Sequence, residues 1–207
     1  ETLAGDTSIG HATAYCQLFE ALADGRVPPR AHALRAIALE LERLANHTGD
    51  LGALAGDVGF LPTAAFCGRL RGDWLNLTAQ LCGSRFGRGF VRPFGVGFDV
   101  DAARAQSMRK TIDSALRDVT GAVNLLWEAP SVLARFEETG VVATDVADEL
   151  GLVGPAARAS GLERDVRSDS PVGIWRVTQI PVSTAGSGDV FARAYVRWLE
   201  IQRSSQF

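Results

Sequence analysis

Glu40, Arg43, His47 and Asp50 step by three, four and three residues, so on a helix they fall along one face. A carboxylate, a guanidinium, an imidazole and a second carboxylate in that order can pair with one another along the helix. They can equally pair with groups on neighbouring helices, and the spacing leaves a solvated, salt-bridged face and an inward-facing network both open. A second constellation runs from Arg158 to Pro171, where Arg158, Arg164 and Arg167 alternate with Glu163, Asp165 and Asp169. A third is Asp189, Arg193, Arg197 and Glu200. Arg193 and Arg197 are helical neighbours of like charge, which repel unless acids lie between them. That arrangement points to partly buried ion networks, which commonly fix geometry near functional sites.

No self-contained catalytic motif accompanies these clusters. Cys16, Cys67 and Cys82 are far apart and form no CxxC pair, so neither a zinc site nor a disulfide framework is indicated, and reduced thiols are expected. His11, His32 and His47 fit no HExxH pattern, and no GxSxG elbow occurs. Thr184-Ala-Gly-Ser-Gly-Asp lacks the Lys-Ser/Thr ending of a phosphate loop, and Gly83, Gly87 and Gly89 do not make GxGxxG.

The elements that would position these groups are mostly helices. Apolar residues from Ile9 to Ala23 predict a first helix over residues 8–23, capped by Asp6, Thr7 or Ser8 and followed by the stiff Val27-Pro28-Pro29 connector. Leu34, Ile37, Leu41, Leu44, Thr48, Leu51 and Ala55 predict one long helix over about 31–55. A break at Gly56–Pro62, a helix from Arg69 to Leu81 closed by Gly83, and a glycine-rich loop with short extended pieces follow. Asp99 or Asp101 caps a helix reaching Glu128. Val132–Glu138 and Thr144–Leu150 are short helices, the second capped by Thr144 and stopped by Gly151. Val172–Val182 alternates, carries β-branched and aromatic residues and ends near Pro181, which predicts an edge strand. Asp189 opens the last helix.

At 207 residues with a net charge of −3, the chain suits one domain, and nothing suggests a nucleic-acid surface. Lys110 is the only lysine, and arginine is the residue best suited to buried, bidentate ion pairs. No apolar run reaches the ~18 residues of a membrane span, and no signal peptide is evident. The start at Glu1 reads as an excised piece.

Seven stretches, in order, resemble the 49-kDa quinone-site subunit of respiratory complex I and the related nickel–iron hydrogenase large subunits. They are Val27-Pro-Pro-Arg30-Ala, Arg35 through Glu40 and Arg43 to His47, Asp57-Val-Gly, Gly83-Ser-Arg85-Phe, Arg92-Pro-Phe-Gly, Arg158 through Asp165 to Arg167, and Gly188-Asp189 through Arg193 and Arg197 to Glu200. The resemblance implies a mainly α fold: a single helical-bundle domain over 1–207, truncated at both ends relative to the family, with small β elements in its C-terminal third. It implies an interface with an iron–sulfur subunit, a place in the peripheral arm of a bacterial membrane complex on the cytoplasmic side, no direct span and no nucleic acid.

Hydrogenase relatives carry Cys-Gly-x-Cys before the first helix. Here the stretch is Ala4-Gly5-Asp6-Thr7, so the ligand positions Ala4 and Thr7 hold no thiolate and a nickel–iron centre is not expected. In the complex I branch a quinone-contacting tyrosine lies near Gly5. Asp57 matches an aspartate that orients a quinone-contacting histidine upstream of this chain, and would favour that imidazole's charged form. Asp57 is therefore read either as that orienter or as a plain helix-end acid. His11, beside the degenerate loop, is read as structural or as a proton-transfer group. Arg30, Arg35, Glu40, Arg43, His47, Asp165, Arg167, Asp189, Arg193, Arg197 and Glu200 are implied to form a buried structural network.

Quinone and the partner's iron–sulfur clusters are expected only in the assembled complex, and the chain alone is expected to be inactive. A degenerate hydrogenase-type subunit and a non-catalytic scaffold remain alternatives. Ala4–Thr7 and Asp57 are expected to converge within about 20 Å.

Overall fold

The computed structural model describes residues 4–207. Helix α1 spans Ser8–Leu22, α2 Pro29–Asp57, α3 Leu61–Cys82 and α4 Ala102–Trp127. Short helices α5 (Pro130–Phe136), α6 (Thr144–Glu149), α7 (Gly154–Ala159) and α8 (Val166–Asp169) follow, then a 3-10 turn at Gly173–Arg176 and the final helix α9, Val190–Gln206. The architecture is mainly α, as the resemblance implies.

Helix α2 is the axis of the molecule, with α3 and α9 packed along it and α4 against α3 and α9. Its apolar stripe faces inward through Leu34, Leu41, Leu44, Thr48, Leu51 and Ala55, all buried; Ile37 alone turns to solvent. Pro29 starts the helix where a missing N–H is harmless. Where α2 meets α3, a Cβ on Gly52 would lie 2.9 Å from the Cys67 Cβ, so glycine sets how closely the helices approach. Beside it the fully buried Trp74 donates its indole N–H to Thr48 Oγ1 at 3.0 Å. Thr63 Oγ1 donates to the Ala122 carbonyl at 2.7 Å and ties α3 to α4.

Several boundaries differ from the sequence expectation. Helix α3 begins at Leu61 because Pro62 sits in its first turn, where proline is tolerated, so the Gly56–Pro62 break is only a short joint. Thr144 lies inside α6, and Ala143 occupies the cap position without a side-chain bond. The small β element is not in the C-terminal third. It is a two-stranded antiparallel hairpin, β1 (Val91–Arg92) and β2 (Gly95–Val96), with Val91 opposite Val96, inside the glycine-rich passage. Val172–Val182 forms no strand among the described residues. Gly173, at φ +57°, breaks its extended course, no neighbouring strand among the described residues is there to pair with it, and its Trp175 instead packs on Phe207, just past the end of α9.

Candidate functional site

Helices α2 and α9, with the α7–α8 segment, carry the charged residues and bring them into one lattice. Glu200, on the buried face of α9, accepts from Arg158 Nε at 2.6 Å, His47 Nε2 at 2.6 Å and Arg43 Nη1 at 3.0 Å. Glu40 accepts from Arg167 Nη1 at 2.9 Å and from the Ser204 hydroxyl at 2.6 Å, with Arg43 Nε 3.6 Å away. Arg167 also grips Asp165 with two nitrogens, Nε to Oδ1 at 3.0 Å and Nη2 to Oδ2 at 2.6 Å, and lies over the Trp175 ring. Such fork-to-fork geometry is what guanidinium supplies and ammonium does not.

Burial alone would raise the Glu200 carboxyl, but the His47 hydrogen bond and the charges of Arg43 and Arg158 overcome it and hold it far below the usual carboxylate range. Burial likewise pushes Asp165 up, and its bonds to Arg167 more than offset that and hold it low. Burial, with the charges of Arg43 and Arg197, lowers His47 by more than Glu200 raises it. Its Nδ1 has no partner among the described residues, so a charged ring would bury an unmatched N–H. The consistent assignment is a neutral imidazole whose Nε2–H donates to Glu200.

A second buried pair joins α1 to the hairpin. Arg35 donates Nη2 to Glu20 Oε1 at 2.6 Å and Nη1 to Oε2 at 3.1 Å, and also reaches the carbonyls of Arg92 and Gly95. Glu20 accepts in addition from the Phe94 N–H at 2.7 Å. Burial raises Glu20, but the Arg35 and Phe94 bonds more than offset it and the carboxyl sits below its ordinary value.

The remaining members of the expected set have other roles. Arg30 pairs with Asp99 on the open surface. Asp189 caps α9, its carboxylate accepting from the Ala192 N–H at 2.8 Å and from the Glu138 N–H at 2.9 Å; that carboxylate does not pair with the Arg193 guanidinium. Arg193 instead donates to the carbonyls of Gly188 and Gly140. Arg197 pairs with Asp50 at 2.8 Å and donates to the Arg193 carbonyl, so the two arginines are separated by an acceptor rather than stacked on each other.

The lattice forms one wall of a groove of about 960 Å³ between α1, α2 and the α7–α8 segment. Thr13, Glu42, Asn46, Arg164 and Trp175 also line it, while Ala4–Thr7 and Asp57 do not. The Ala4–Thr7 turn is held beside the middle of α2, where Asn46 Nδ2 donates to the Asp6 carbonyl at 3.1 Å. Asp57 ends the same helix about three turns farther on, ~16 Å at 1.5 Å per residue, so the two do not touch. Asp57 is exposed, and its side chain has no ion pair or hydrogen bond among the described residues. His11 is also exposed, one turn into α1, and Gly5 is open to solvent in the turn before it.

Two carboxylates, the buried Glu20 and the half-buried Glu42, were not singled out from the sequence. Glu20 was legible, because it continues the buried Ile9, Ala12, Cys16 face of α1 and is the one charge on it. Glu42 carried no signal, since it lies off both stripes of α2 and its partners are backbone N–H groups of another helix. No described helix is long and apolar enough to cross a membrane.

The sequence profile described as "Respiratory-chain NADH dehydrogenase, 49 Kd subunit" matches residues 57–207. NADH-quinone oxidoreductase subunit 4 of Thermus thermophilus is 34% identical over 197 residues, covering 95% of this chain and 48% of that protein. An NADH-quinone oxidoreductase subunit from Desulforamulus reducens is 28% identical over 192 residues, covering 93% of this chain and 52% of its own. Among solved structures, a chain of the membrane-bound sulfane sulfur reductase, described as an archaeal respiratory membrane complex, superposes with a TM-score of 0.80 at 26% identity, over 87% of this chain and 49% of that one. The chain thus spans about half the length of the curated relatives it matches.

Proposed function

The chain belongs to the family of the 49-kDa subunit of respiratory-chain NADH dehydrogenase, and from that premise we propose that it supplies the helical scaffold beside the quinone site of an NADH:quinone oxidoreductase-like complex. In this reading electrons arrive through iron–sulfur clusters on a partner subunit, quinone is reduced at assembly level, and the chain lies in the peripheral arm of a membrane complex whose other parts hold it to the membrane. The observation that carries the reading is Asp57. It is an exposed carboxylate at the end of the central helix with its side chain free among the described residues, so it is available to a group outside this chain. A carboxylate so placed would fix the tautomer of a neighbouring imidazole and stabilise its charged form. The buried lattice would hold α2 rigid behind it, since a ligand-orienting group must itself be locked in place.

A nickel–iron centre does not fit this chain. Ala4 offers a methyl group and Thr7 a hydroxyl where thiolates would be needed, and neither is a soft ligand. A membrane respiratory complex with a different electron acceptor is a second reading, favoured by the likeness to a sulfane sulfur reductase chain.

The test is Asp57→Asn in the full-length subunit within its assembled complex. Quinone reduction is expected to fall at least tenfold with assembly intact. Undiminished quinone reduction would remove the assignment, and reduction of a sulfur substrate by the unaltered complex, without quinone reduction, would support the second reading.

A further inference from the structure

The groove between α1, α2 and the α7–α8 segment is short of positive charge. The guanidinium groups on its walls are all committed: Arg158 to Glu200, Arg167 to Asp165 and Glu40, Arg164 to Asp148, and Arg43 to Glu200. Two further carboxylates line it, Glu42 of α2 and Asp169 at the end of α8, and neither has an ion-pair partner among the described residues. Glu42 is half-buried and accepts from the Ile9 N–H at 2.7 Å and the Gly10 N–H at 3.0 Å. Those amides orient its carboxylate and favour its charged form, but they supply no net counter-charge. Burial, and then the charge of Asp6, work against ionisation, and a cation beside Glu42 would relieve both. Asp169 is exposed and accepts only from the Asp165 N–H, at 2.9 Å.

Two polar atoms on the same walls are also unmet. Thr13 and His47 are 8% and 7% exposed and both line the groove, yet Thr13 Oγ1 and His47 Nδ1 bond nothing among the described residues. Buried polar groups are seldom left in that state. With its Nε2–H on Glu200, the neutral His47 ring offers Nδ1 as an acceptor, and the Thr13 hydroxyl can donate or accept. The remaining lining is largely apolar. Leu39, Pro155 and Trp175 stand in the walls, and Val153, Val166 and Val172 are exposed to water.

We propose that this groove seats a short polypeptide segment of a partner subunit, with a lysine or arginine side chain of that segment paired to Glu42 and drawn in by Asp169. A metal ion is a poor fit, because no group of three His, Cys, Asp or Glu residues able to hold one exists among the described residues. A free alkylamine would answer Glu42 alone and leave the valines and both orphan atoms in water. A main chain brings an N–H and a C=O with nearly every residue, which His47 Nδ1 and Thr13 Oγ1 can take up. The volume of about 960 Å³ is at the top of the range of roughly 300–1,000 Å³ usual for small-ligand pockets, and the exposed valines extend the apolar surface along it. That the segment comes from a subunit of the assembled complex rests on the function proposed above, whereas the groove's preference for a cation on an apolar stem does not.

NMR titration of the full chain with capped peptides tests it. The probes are Ala-Leu-Arg-Leu-Ala, the same peptide with citrulline in place of arginine, which keeps the shape and loses the charge, and the same peptide with glutamate there. The arginine peptide is expected to bind at least about tenfold more tightly than either of the others and to move the Ile9 and Gly10 amide signals, which report on Glu42. That preference is expected to shrink as salt rises towards about 0.5 M. Glu42→Gln should weaken the arginine peptide by about tenfold and Asp169→Asn by about threefold, with the citrulline peptide unchanged. Butylguanidinium, the free cation, is expected to bind at least about tenfold more weakly than the arginine peptide, and equal affinity would overturn the polypeptide assignment. Equal affinity for the arginine and citrulline peptides, or no binding of any peptide up to about 5 mM, would overturn the whole proposal. Should E42Q not fold, the citrulline comparison and D169N decide. None of these readouts involves quinone reduction, so this proposal and the Asp57 assignment can fail separately.

Discussion

Replacing Glu200 with alanine removes the acceptor shared by Arg158, His47 and Arg43. Arg158 is 4% exposed and would keep only its bond to the Arg164 carbonyl, at 2.8 Å, leaving a buried guanidinium without a counter-charge. Arg43 is partly exposed and can turn to Glu40 and to water, so its loss is smaller. His47 is neutral and loses one hydrogen bond, worth about 1 kcal/mol. Removing one partner of a buried ion pair costs about 3–5 kcal/mol, and Arg158 dominates that sum. For a chain of this size such a loss lowers the melting temperature by roughly 6–20 °C. Urea denaturation and thermal scans of E200A against the unaltered chain measure both quantities. The reasoning also predicts that Glu200→Leu combined with Arg158→Met recovers most of the loss, because the uncompensated charge is then gone. A destabilisation below about 1 kcal/mol in E200A, or a double variant no more stable than E200A, would refute it.

The acid limb of stability should report the same carboxylates. Glu20, Asp165 and Glu200 are all held below their ordinary values, so their contribution is complete above about pH 4.5 and is lost as the pH falls through their lowered folded values. Glu42 acts in the opposite sense: its contribution is present below about 4.5 and lost as the pH rises through about 7. Stability measured by urea titration is therefore expected to peak near pH 5 and to decline towards pH 7, with Glu42→Gln flattening that decline. Thr48→Val strands the buried Trp74 N–H and should cost about 1–3 kcal/mol by chemical denaturation. Arg35→Lys cannot serve Glu20 and the Arg92 and Gly95 carbonyls together, and is expected to speed proteolysis between α3 and α4 while leaving the α2–α3 core intact.

The helices were legible wherever one face repeats. Leu34 to Ala55 declared α2, and Asp101 and Asp189 declared their caps by residue type. The charged lattice was legible only in part. The stripe Glu40, Arg43, His47 and Asp50 showed which face of α2 it occupied, but not that Glu200 and Arg167 would meet it, because spacing along one helix says nothing about what packs across from it. The strand expected over Val172–Val182 failed for a related reason. Alternation describes a surface that needs a partner strand, and Gly173 turns the chain before one can form. Glu42 was invisible because its partners are main-chain groups, which every residue carries.

The contacts that tie Glu40, Arg43 and His47 of α2 to Arg167, Glu200 and Ser204 join positions 127 to 164 residues apart. During synthesis the ribosome therefore exposes Glu40, Arg43 and His47 long before α9 has emerged to neutralise them. Until then the nascent α2 has to keep that face hydrated, without the helix that packs along it in the finished fold. Loop closure over such spans is slow, so the lattice closes only after nearly all of the polypeptide has been made. Polypeptides arrested before Val190 are the ones that quality-control proteases would be expected to find first.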